Sequence, residues 1–242
     1  MQRRFQVDLD FSEVKNAKYN SYVLGLIECT HKYDKRDVIT GGSNFKCWEI
    51  RPYYSGVRII TPFMEVETDY DVLGNILEDF ERVLLPYTEF SDRMISFNLE
   101  TFDLEPQQMI SLIKMYYSSL PIFFKMTKYL WPPEQCNFDF TNFSPEVISV
   151  RETKLFPLFE EYSPVSFYKY AATGMVTFTV ARSSFKKDQI LNWLRLFNCM
   201  IGQCKQLTEN WKIESISTGK ELVQKLEISA NLQDWIIKQC AE

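Results

Sequence analysis

The chain has 242 residues and a formal net charge of -5, from 27 Lys and Arg against 32 Asp and Glu, and 45% of its residues are hydrophobic. That is enough apolar material for a sizeable core, while the scattered basic residues form no stripe that would neutralise phosphates, so nucleic acid is not an expected partner. The 19 Phe, 13 Tyr and 5 Trp against 8 Gly predict a core of large rings, with turns built from Pro, Asn, Asp and Ser.

In chain order, FQVDLDF (5–11) alternates, with Phe5, Val7, Leu9 and Phe11 on one face and Gln6, Asp8 and Asp10 on the other, which predicts a strand. NSYVLGLIECTHKY predicts a short helix, and Gly41-Gly42 a turn. FKCWEIR and GVRIITPFMEVE read as two strands of a hairpin turning at Tyr53-Tyr54-Ser55-Gly56. After Thr68, the spacing of Val72, Ile76, Phe80, Val83 and Leu84 predicts a helix that Pro86 ends. RMISFNLETFD alternates again as a strand, and Pro106 opens a long helix with a kink expected near Pro121. Residues 131–164 are rich in Pro and Asn and read as irregular. SFYKYAA and MVTFTVARSS predict a second hairpin around Thr173-Gly174, followed by an amphipathic helix over 186–210 and a last helix over 219–240.

This order predicts an α+β fold, an antiparallel sheet with helices packed on one face, comprising residues 1–210, and a C-terminal helical extension over 211–242 that packs on it or on a partner. Trp235 and Ile236 are the extension's candidate partner-binding residues. No apolar run approaches the ~20 residues of a membrane helix, and the basic start MQRRFQVDLDF lacks the apolar core of a signal peptide, so a soluble protein without membrane contact is expected. The six cysteines contain no C-x-x-C pair and read as reduced thiols, which places the chain in the cytoplasm.

Counting excludes chemistry. One histidine, His31, rules out any site requiring two imidazoles, and no phosphate-binding glycine loop or nucleophile elbow occurs. What remains is the polar face of the sheet, which collects Asp8, Asp10, Arg58, Ser96, Asn98, Glu100, Thr177 and Thr179. Without a ligand it reads as a solvated surface. As a site, it starts from Asp8 and Asp10, two carboxylates at i and i+2 that point the same way and could share a hard cation such as magnesium.

Four segments, VDLDF, WEIRPYYSGVRIITP, MISFNLETF and GMVTFTVARSSFKKDQILNWLRLF, resemble in order the landmark segments of the amidoligase family, relatives of glutamine synthetase and glutamate-cysteine ligase. The resemblance covers most of residues 5–205 and implies a glutamine synthetase-like fold. Gln6-Val7-Asp8-Leu9-Asp10 resembles the family's G-V-E-I-E strand, with its metal-binding acids. Arg58-Ile59-Ile60-Thr61-Pro62 resembles E-I-V-T-P, so Arg58 stands where the family has a metal-binding glutamate. Ser96-Phe97-Asn98-Leu99 resembles an H-V-H-V strand, and Val176-Thr177-Phe178-Thr179 resembles T-I-E-F-R, with Arg182 in the basic role if the register shifts.

Such ligases are expected to phosphorylate a carboxylate with ATP and let an amine displace the phosphate, on metals held by acids. An arginine among those acids repels cations. The departures from the family's acids therefore lead to the expectation of a pseudoenzyme that serves as an interaction or assembly component, with no cofactor, and with a protein partner or self-association. In it, Arg58 pairs with Asp8, Asp10 or Glu100. One alternative is an ATP- and magnesium-dependent carboxylate-amine ligase with metal ligands from Asp8, Asp10 and Glu100, joined by Glu49 or Glu65. The other is a viral or phage structural protein of unrelated fold, incorporated in a virion.

Overall fold

The structure, a computed structural model, describes residues 2–12, 19–40, 44–53, 56–84, 94–127, 165–167, 170–182, 186–207 and 216–241. The Gly41-Gly42 turn, the hairpin tip at Tyr54-Ser55, Pro86 and the stretch 131–164 lie outside them. The chain divides into two compact units, residues 1–98 with 181–193, and residues 99–180 with 194–242.

In the first unit, alternation makes β1 (Arg4–Ser12), whose Phe5, Val7 and Leu9 are fully buried. The chain continues through α1 (Tyr19–Tyr33), β2 (Val38–Ile39), β3 (Trp48–Tyr53), β4 (Gly56–Ile60), β5 (Met64–Glu65), α2 (Tyr70–Leu84) and β6 (Met94–Glu100). Strands here run in the order β2-β3-β4-β1-β6, with β5 also on β1. β3 and β4 form the expected antiparallel hairpin, Tyr53 opposite Gly56 and Arg51 opposite Arg58. β4 in turn pairs with β1, Asp10 opposite Arg58 and Asp8 opposite Ile60.

Two expectations for the first unit need correction. The sheet is mixed rather than antiparallel, because β2 lies parallel to β3, Val38 opposite Trp48. Beside this pairing the Trp48 amide donates to the Asp37 carbonyl at 2.8 Å. The segment GVRIITPFMEVE is two strands, not one. Asp8 faces Ile60, but Phe5 faces Met64, so residues 61–63 lie against only residues 6 and 7. Pro62 has no N–H to continue the ladder. Thr61 bridges the gap: its N–H donates to the Val7 carbonyl and its hydroxyl accepts the Val7 N–H, each at 2.9 Å.

The apolar face of these strands carries α1 and α2. Trp48 meets Phe80 edge-on at 6.2 Å and Phe5 meets Tyr70 at 5.7 Å. The buried stripe of α2 is Leu73, Ile76, Leu77, Phe80 and Leu84, so Val72 and Val83 sit at its margin and are half-buried. At Gly74 a Cβ would lie 2.6 Å from Cε of Lys187, a flexible side chain whose ammonium pairs with Glu78 at 3.2 Å.

The second unit holds α3 (Pro106–Thr127), β7 (Val165–Ser166), a single turn α4 (Tyr170–Thr173), β8 (Met175–Arg182), α5 (Lys187–Gln206), α6 (Gly219–Leu226) and α7 (Ala230–Ala241), with β8 and α5 completing their ends in the first. Helix α3 continues through Pro121. Its Tyr116 and Phe123 form a cluster with Phe178 and Phe197, and the last two stack at 4.6 Å and 8°.

SFYKYAA is not a strand. Ser166 ends β7, and the chain then turns helically, with Tyr170 N–H donating to the Phe167 carbonyl and Gly174 N–H to that of Tyr170. Gly174 itself has φ +70°, a left-handed backbone that a glycine takes without Cβ strain.

The single terminal helix expected over 219–240 is two. Thr218 caps α6 in a reciprocal box with Glu221, and Glu227 ends it at φ 46°, ψ 46°. Ser229 then opens α7 by accepting the amides of Leu232 and Gln233. Because left-handed backbone strains a Cβ, Glu227→Gly is expected to raise stability by about 0.5–1 kcal/mol in urea unfolding.

Candidate functional site

The acids and bases singled out from the sequence sit on the side of β3, β4 and β1 opposite the helices. Strand alternation puts Glu49 and Arg51, Arg58 and Ile60, and Gln6, Asp8 and Asp10 on that side. Their registers form two rows, one of Glu49, Ile60 and Asp8, the other of Arg51, Arg58 and Asp10.

This side is only partly solvated, with Arg51 38% and Arg58 33% exposed over buried acids. Asp8 is 4% exposed, Glu49 is 3% and Asn98 is 0%. Buried carboxylates need a countercharge or a hydrogen bond to each oxygen. Asp8 finds both in Arg58, whose Nε donates to Oδ1 at 2.8 Å and whose Nη2 donates to Oδ2, a two-pronged pair. Glu49 accepts at Oε1 from Nε of Arg51, two residues on along the same strand.

Arg58 stands directly opposite Asp10 but reaches diagonally to Asp8, the more deeply buried acid. Diagonal neighbours across a strand pair lie within reach of a long side chain, and an acid shut away from water gains more from the cation than a half-exposed one. The same row sets Arg51 opposite Arg58. Like charges so placed repel, and the acids in the next row, Glu49 and Asp8, balance them.

The polar contacts extend to either side. Gln6 donates to the Thr61 carbonyl at 2.9 Å, and Asn98 of β6 reaches the Gln6 carbonyl at 3.5 Å. Ser96 is half-buried on the same strand as Asn98. Of the other candidates, Glu65 is exposed on β5, and its strand Cα partner is Arg4. Glu100, Thr177 and Thr179 belong to the second unit and are buried, with Thr177 opposite Ser166. Arg182 ends β8, and its side chain lies outside the described residues. Ile236 is fully buried within the second unit, Trp235 is half-buried and Ile237 is exposed.

Sequence reasoning missed one built cluster. Asp34, just after α1, accepts the Trp48 indole N–H at 2.7 Å, the Arg36 Nε at 2.8 Å and the Arg36 amide at 3.0 Å, while Arg36 also donates to the Phe63 carbonyl. The signal was D-x-R, an acid two residues before a base at the end of a helix. Burial alone would raise the Asp34 carboxyl, but the Arg36 guanidinium and the Trp48 indole overcome it and hold the group below the ordinary range.

Because its folded value is depressed, the ionised Asp34 stabilises the fold above the unfolded value of about 4, and that stability is lost as pH falls through the folded value. Asp34→Asn is therefore expected to cost about 2 kcal/mol at neutral pH, a gap that narrows below about pH 4 when thermal unfolding is followed across pH.

In the last turn of α1, Lys32 pairs with Asp79 of α2 at 2.8 Å, Arg82 adds a second contact at 3.0 Å, and the Lys32 bond holds the Asp79 carboxyl low. Hydrogen bonding to Asp79 in turn pushes Lys32 up to about 12. His31 is exposed in the last turn of α1. Cys29, Cys47, Cys199, Cys204 and Cys240 are free thiols, and burial pushes Cys204 up to about 12, away from thiolate chemistry. Among the described residues, no three or more His, Cys, Asp or Glu side chains gather as a metal-binding group, and no helix is long and apolar enough to cross a membrane.

No protein-family model matches the chain, and no curated protein matches it. Among solved structures it is similar to one described as a crystal structure of a novel glutamine synthase homolog, at 10% sequence identity and a TM-score of 0.49. The match takes in 99% of this chain and 64% of that one, so the chain spans less than two thirds of that protein's length.

Proposed function

We propose that this chain is a divergent, non-catalytic amidoligase-fold protein, with a glutamine synthetase-like scaffold, that serves as an interaction or assembly component. One observation carries the reading. At the position where the resemblance of Arg58-Ile59-Ile60-Thr61-Pro62 implies a metal-binding glutamate, a guanidinium instead grips both oxygens of Asp8.

Magnesium takes oxygen ligands, chiefly carboxylates and water, in near-ideal octahedral geometry. Asp8 has both oxygens engaged by Arg58, and in the next row Arg58 stands opposite a second arginine, Arg51, which pairs with Glu49. These residues do not fit the cation, so no phosphoryl-transfer step is assigned to them. The charge pairs do the cation's other duty, which is to neutralise buried acids. A scaffold so converted offers surfaces rather than chemistry, to a protein partner or to a second copy.

The test is calorimetric titration of Mg-ATP into the full chain, with Asp8→Asn alongside. No magnesium-dependent binding is expected in either protein. Micromolar binding that disappears in Asp8→Asn would overturn the proposal and favour a working carboxylate-amine ligase. Light scattering of the purified chain over a concentration series addresses self-association separately.

A further inference from the structure

We draw no further inference here: the strongest candidate, the exposed Phe45 ring just before β3, stacked on Phe63 at 4.8 Å, is an apolar surface patch, and nothing in the structure shows what covers it.

Discussion

Replacing Arg58 with alanine is expected to destabilise the chain by about 3 kcal/mol, read from urea unfolding. The cost comes from the acid left behind. Asp8 is 4% exposed and both its oxygens are held by Arg58, so truncation strands a buried carboxylate without a partner. Arg58 itself is 33% exposed, which lets water reach part of the pair and keeps the loss toward the low end for a broken buried bridge.

Removing both charges separates a structural pair from a cation site. In Asp8→Leu with Arg58→Leu no charge is stranded, and the double variant is expected to recover most of the loss of the single one. A double variant as unstable as Arg58→Ala would mean that the acid and the base serve different partners. Arg58→Lys is expected to fall between wild type and alanine, because an ammonium keeps the charge and loses the fork that meets two oxygens at once.

Phe197→Ala is expected to cost about 4 kcal/mol, the largest effect of any single truncation considered. The ring is fully buried and stacks on Phe178 at 4.6 Å, with Tyr116 at 6.2 Å and Phe123 edge-on at 6.1 Å. Those three neighbours come from α3 and β8, so the cavity would open where a helix, a strand and α5 meet. Rings anchored on separate elements cannot all collapse into the space, and the lost dispersion adds to the lost transfer energy. Phe197→Leu keeps most of the volume and is expected to cost about 1.5 kcal/mol or less. Thermal unfolding of the two variants side by side checks the ratio.

Much of the secondary structure was legible because its signal is local. The alternation of Phe5, Val7 and Leu9, and of Ile95, Phe97 and Leu99, describes buried strand faces, and all six side chains are 0–1% exposed. The long helix from Pro106 and the helix over Lys187–Gln206 follow from their apolar periods. The errors were of a different kind. A proline inside an apolar run hid the step from β4 to β5, and one left-handed residue, Glu227, divided a helix whose apolar period continues past it. Both are single-residue backbone events that a period read over ten residues averages away.

The candidate site was legible as a set of residues and not as an arrangement. Alternation put Gln6, Asp8 and Asp10 on one side of β1, yet alternation cannot say whether that side meets water. It is buried at Gln6 and Asp8. Nor could it say which acid Arg58 would take, since Asp8, Asp10 and Glu100 were equal choices by composition. The Asp34 cluster escaped for a related reason: its third member, Trp48, lies 14 residues away and reads as an ordinary apolar strand residue.

By itself, then, the sequence determined the strands and helices whose side-chain period needs no partner, the ring-rich core, and the absence of any two-histidine chemistry. Only the tertiary structure decided that β2 runs parallel to β3, that Gln6 and Asp8 on the polar side of β1 are buried, and that Arg58 closes on Asp8. The reason is physical. Periodicity is a property of neighbouring residues, whereas the Arg58–Asp8 pair joins residues 50 apart, and its energy depends on the strand register and on the exclusion of water, both of which exist only once the chain has folded.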